Sequence, residues 1–128
     1  MAKSHKIFIA FAIEDKWARH YLVGQALNAR SSFTFTDMSV KEPWDEKWKT
    51  QCRARIQGCD GVIALISKNT ARAAGQLWEI GAANQERVPT LGIYTTTEDR
   101  PASLPLDIAG LSVKAWTWDN ISAFLAKL

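Results

Sequence analysis

Apolar residues along this chain fall into two alternating rhythms, short unbroken runs and longer stretches with helical spacing. KIFIAFA (residues 6–12) is a continuous apolar run of strand length. Glu14 and Asp15 then open a helix with Trp17, Ala18, Tyr21, Leu22 and Ala26 on one side. FTFTD (residues 33–37) alternates aromatic and threonine, the pattern of a strand near a sheet edge. After the loop MSVKEP comes a second helix over residues 44–58, with Trp48, Cys52, Ile56 and Cys59 as its apolar stripe. Its acids lie at the start (Asp45, Glu46) and its bases toward the end (Arg53, Arg55), which suits the helix dipole.

GVIALIS (residues 61–67) reads as the most buried strand. A third helix follows over residues 73–86, with Ala74, Leu77, Trp78, Gly81, Ala82 and Gln85 at helical spacing. VPTLGIYT (residues 88–95) is a fourth strand, SVKAW (residues 112–116) a fifth, and DNISAFLAKL a closing helix. Five strands alternating with helices, and apolar on both faces, predict an open parallel sheet covered on each side. Right-handed crossovers make it an α/β, flavodoxin-like, doubly wound single domain over residues 1–128, with strand order 2-1-3-4-5. Ligands in such sheets bind outside the carboxyl ends of the strands, near the switch point between the first and third. Phe11, Ala12, Ile13, Asp37, Trp44, Ser67 and Asn69 all fall at or beside those ends.

Composition narrows the choices. A chain of 128 residues, 47% hydrophobic and 23% charged, suits one soluble core. The net charge of +3 is spread thinly, so no nucleic-acid partner is expected. No apolar run approaches the roughly 20 residues of a membrane span, and MAKSHK is not followed by a signal-peptide core. A cytoplasmic location is the expectation. Cys52 and Cys59, seven apart on one helix, read as reduced, half-buried thiols, and with only His5 and His20 beside them no metal site is expected.

The commoner tenants of this fold are excluded on their own residues. FAIEDK after the first strand is neither a Walker loop nor G-x-G-x-x-G, nor is it the Ser/Thr-rich phosphate loop of a flavodoxin. A phosphoacceptor receiver needs an aspartate at the end of the third strand, where this chain has Ser67.

The segment SKNTARAAGQLWEI (residues 67–80) carries the candidate chemistry. It holds one carboxylate, Glu79, beside Trp78 and among small apolar residues, where a spare charge is unwelcome. With KIFIAFAIEDKWA and FTFTDMSVKEPWDE, it resembles the TIR domain superfamily, most closely the TIR-like proteins of Thoeris-type bacterial antiphage systems. The resemblance is to an opening box of aliphatic and aromatic residues, a second strand with its long BB loop, and a motif commonly written S-x-N-…-S-x-W-C-x-x-E-L. Ser67, Asn69 and Glu79 fall on the motif's serine, asparagine and catalytic glutamate. The chain departs from the pattern at Gly75, where an aromatic residue is frequent, and at Ala10, where serine is common. It also has Ala12 and Ile13 where some eukaryotic enzymes carry arginines.

What the resemblance implies is cleavage of NAD+ between nicotinamide and ribose, NAD+ being a substrate rather than a cofactor. An ADP-ribose-type product, often cyclised, would signal to a separate effector. Glu79 would be catalytic, with Phe11, Ala12, Ile13, Asp37, Trp44, Ser67 and Asn69 contacting substrate. The implied partners are further copies through the BB loop (residues 38–44, with Met38, Val40 and Trp44 as apolar tips), a phage-derived trigger, and the effector.

Simpler roles stand beside these. Glu79 could pair with Arg72 or Arg87, or lie at a solvated helix edge. Ser67 and Asn69 could cap the third helix, and Asp37 could start a turn. Trp44 could stack on a ring or pack on a neighbour. Trp17, Trp48 and Trp78 read as core. The rival functions are a non-catalytic adaptor acting by self-assembly and a small nucleotide sensor.

Overall fold

A computed structural model describes residues 5–30, 33–38 and 40–128. It holds a five-stranded sheet of order β2-β1-β3-β4-β5, every pairing parallel. The strands are β1 (His5–Ala10), β2 (Phe33–Thr36), β3 (Gly61–Ile66), β4 (Thr90–Tyr94) and β5 (Val113–Lys114). The helices are α1 (Lys16–Asn28), α2 (Glu46–Gln57), α3 (Ala74–Gln85) and α4 (Trp118–Ala126). Short 3-10 turns, Ile13–Asp15 and Thr70–Arg72, follow β1 and β3. The expected doubly wound α/β architecture is what forms.

Alternation along the central strands builds two cores. Phe8, Ala10, Val62, Ala64 and Ile66 face α2 and α3, in a cluster with Trp48, Cys52, Ile56 and Ile80. Ile7, Ile9, Phe11, Ile63, Leu65 and Ile93 face α1 and α4, with Ala18, Leu22 and Ile121. β3 is buried at every position, as a strand covered on both faces must be.

Each predicted element is present, with its ends within two residues of those expected; most are trimmed, while β1 and α4 begin one residue earlier. α2 begins at Glu46 because Asp45 caps it, accepting from Lys47 N–H and Trp48 N–H at 2.9 and 3.4 Å. Trp44 therefore lies in the preceding turn, and its side chain is 73% exposed.

Several packing expectations change. Trp17 is 51% exposed, the buried face of α1 being Ala18, Leu22 and Ala26. Trp48 is buried, and Trp78 half-buried against it edge-on at 5.4 Å. Both thiols are buried rather than half-buried, and burial pushes each well above its ordinary value.

The inward face of α3 is Gly75, Gln76, Glu79, Ile80, Ala82 and Ala83. Leu77, Trp78 and Gly81, assigned to its apolar stripe from spacing, sit half-exposed on the flank. Two polar side chains displaced them, because the buried face of α3 meets strand ends whose backbone groups need partners. Gln76 supplies one, its Nε2 donating to Ala10 O at 3.1 Å and Leu65 O at 2.7 Å.

Candidate active site

Glu79 projects from the second turn of α3 toward the end of β1 and is fully buried. Its carboxylate accepts from the Phe11 backbone N–H. Its other partner comes from the loop between β2 and α2: the Lys41 ammonium lies 2.8 Å from Oε2 and 3.1 Å from Oε1. The lysine side chain is itself only 8% exposed. Neither expected arginine is involved, since Arg72 and Arg87 are both exposed, Arg87 in a left-handed conformation just past the end of α3. Glu79 is therefore not at a solvated helix edge.

Burial pushes the Glu79 carboxyl up to about 8, against the downward pull of Lys41 and the Phe11 N–H, while the Asp37 charge adds to the rise.

The loop bearing Lys41 is fastened at several points. Arg19 Nε donates to Asp37 Oδ2 at 2.6 Å, and Arg55 donates to the Asp37 carbonyl. Trp48 Nε1 donates to Val40 O. Met38 is 5% exposed and joins the core under α2, so it is an anchor rather than an available apolar tip. Val40 and Trp44, 54% and 73% exposed, do face outward. Position 39 lies outside the described residues.

Asp37 is an acceptor already engaged by Arg19. Phe11 and Ala12 are buried beside Glu79's end of β1, whereas Ile13 is 49% exposed on the turn that follows.

A second buried carboxylate, Asp15, was assigned only to a helix start. It is 1% exposed at the junction of the first 3-10 turn and α1. Ser67 Oγ donates to its Oδ2 at 2.5 Å and Asn69 Nδ2 to its Oδ1 at 3.0 Å. Ser67 Oγ also accepts from Asn69 N–H at 3.0 Å, and Thr70 Oγ1 accepts from Ser67 N–H at 3.0 Å. Ser67 therefore caps the turn after β3, whereas Asn69 makes no side-chain cap and bonds instead to Asp15. Burial raises the Asp15 carboxyl while its two donors pull it down.

The site thus brings together Phe11, Glu79 and the unforeseen Lys41, with Asp37 close enough to influence Glu79 electrostatically. Ser67 and Asn69 belong to a separate network around Asp15, and Trp44 points to solvent. No periodicity could have found Lys41, which lies 38 residues from its partner. Among the described residues, no group of three or more His, Cys, Asp or Glu could hold a metal ion. Among the described residues, no helix is long and apolar enough to cross a membrane.

In doubly wound parallel sheets ligands bind outside the carboxyl ends of the strands, and here a buried carboxylate lies at that edge. The family profile described as the Thoeris protein ThsB, TIR-like domain, matches residues 8–100, and the chain belongs to that TIR family of antiphage defence. The match runs from within β1 to the loop after β4, and so contains Glu79, Lys41 and Asp15. A search of curated proteins found no match.

Proposed function

We propose that this chain cleaves the bond between nicotinamide and ribose in NAD+, with Glu79 as the catalytic residue. The observation that carries this reading is a fully buried glutamate on α3, held at the carboxyl end of β1 in a TIR-like domain.

The chemistry needs one carboxylate and no general acid. The bond from the anomeric carbon to the ring nitrogen breaks, and nicotinamide leaves with the bonding pair, which neutralises its ring. The positive charge passes to an oxocarbenium-like ribose, which the carboxylate stabilises while accepting from ribose hydroxyls. Water then adds and loses a proton, giving ADP-ribose. If a nucleophilic atom of the same molecule adds first, the product is cyclic, and a cyclic ADP-ribose-type signal for a separate effector is the outcome we favour. Such capture requires the pocket to fold the substrate and exclude solvent.

In the closed chain Lys41 engages and covers the Glu79 carboxyl. Substrate therefore enters after the loop moves, and a phage-derived trigger or self-assembly through Val40 and Trp44 would supply that movement. The test is incubation of concentrated protein with NAD+, with products identified by mass. Nicotinamide and a linear or cyclic ADP-ribose are expected from the native chain and none from Glu79→Gln.

One observation favours a second reading, a non-catalytic adaptor: Lys41 and Glu79 form a satisfied ion pair of the kind that serves structure alone. Self-association with no NAD+ consumed, in the presence of the trigger, would support that alternative.

A further inference from the structure

The place occupied by the Lys41 ammonium has two attractive walls. One is the Glu79 carboxylate, at 2.8 and 3.1 Å. The other is the face of the Phe11 ring, whose centroid lies 3.9 Å from Nζ. A carboxyl group and an aromatic face together favour a cation, because a cation at this place draws the carboxyl toward its ionised form and also meets the ring's negative face. A neutral group in the same place would gain little from either wall.

Lys41 reaches this position only because of Gly75. A Cβ built on Gly75 would stand 2.7 Å from Lys41 Cβ and 3.2 Å from Lys41 Cα. The contact is with the root of the side chain and the backbone, not with a flexible tip, so any larger residue must displace the loop. Gly75 is also the position at which the TIR resemblance leads one to expect an aromatic side chain. Here the glycine leaves that volume to the loop.

We propose that the Phe11 ring and the Glu79 carboxylate form a subsite for a planar organic cation, filled in the closed chain by Lys41. Withdrawal of the loop from Gly75 exchanges this internal lysine for the pyridinium ring of an oxidised nicotinamide dinucleotide. The identity of that cation rests on the NAD+-cleaving reading, whereas the subsite rests on its own geometry. A pyridinium held there places the scissile bond beside Glu79. The reduced dinucleotide, whose ring is neutral, is not accepted.

The test titrates the 1-methylnicotinamide cation, and separately neutral nicotinamide, into the native chain, Lys41→Ala and Gly75→Ala, with circular dichroism as the check on folding. Both variants are expected to bind the cation at least about tenfold more tightly than the native chain, and to prefer it to neutral nicotinamide. Adding Phe11→Leu to Lys41→Ala should weaken the cation several-fold. Gly75→Ala keeps the lysine and adds one methyl group, so it answers the question even if Lys41→Ala fails to fold. Cation affinity unchanged in the folded variants, or equal affinity for the neutral ring, overturns the subsite. Tighter cation binding without NAD+ cleavage by any variant supports the subsite and overturns the NAD+-cleaving reading. Cleavage without the gain in cation binding does the reverse.

Discussion

Two carboxylates are buried at the same edge of this sheet, Asp15 at 1% exposure and Glu79 at 0%, and their partners differ in kind. Asp15 is held by neutral donors, Ser67 Oγ and Asn69 Nδ2, both fixed in the turn that follows β3. It ties the end of β1 to the end of β3, and nothing in that arrangement can leave without unfolding both turns. Glu79 is held by one backbone N–H and by a lysine carried on a long loop. Its main partner can leave while the sheet stays intact. One carboxylate is thus committed to structure, and on the proposed reading the other is released for chemistry, although both look equally buried.

The largest expected effect separates them by activity. Glu79→Gln should lower NAD+ turnover by at least roughly 10²–10³-fold, the range for loss of one positioned electrostatic group, and leave the fold intact by circular dichroism. Asp15→Ala should act in the opposite sense. It leaves the Ser67 hydroxyl and the Asn69 amide without their acceptor and should cost about 2–4 kcal/mol in denaturant unfolding. Asp15→Asn should be milder, at about 1–3 kcal/mol, because an amide accepts through one oxygen only and meets the second donor with another.

A pH experiment sharpens the difference further. The Glu79 carboxyl is raised from 4.5 to about 8 in the closed chain, so between those values the folded state holds more protons than the unfolded one. Stability should therefore fall as pH rises through that window, and Glu79→Gln should flatten the slope seen by thermal unfolding. The smallest effect belongs to Trp44. Its replacement by alanine should change monomer stability by less than about 0.5 kcal/mol, since the ring is mostly exposed. The same change should weaken self-association in sedimentation if the loop forms the contact between copies.

The fold was legible in the sequence because strand and helix announce themselves by period and by unbroken apolar runs, as in GVIALI and KIFIAF. Glu79 was legible as a carboxylate in the wrong company. Lys41 was not, because a loop lysine carries no period and its partner is set by tertiary approach at Gly75. Asp15 was visible only as an acid at a helix start, since its two donors arrive from the turn after β3, 52 and 54 residues further along the chain. The inward face of α3 misled for a related reason. Spacing assigned burial to Leu77 and Trp78, while strand-end backbone groups and a charged loop drew Gln76 and Glu79 inward.

The releasable role of Glu79 is tested most directly by nicotinamide release from NAD+ per folded molecule in the loop-displaced background. Gly75→Ala is compared with Gly75→Ala/Glu79→Gln and with Gly75→Ala/Asp15→Asn. The prediction is turnover in the first, loss of at least about a hundredfold in the second, and near-equal turnover per folded molecule in the third. Turnover that persists in Gly75→Ala/Glu79→Gln would contradict the account.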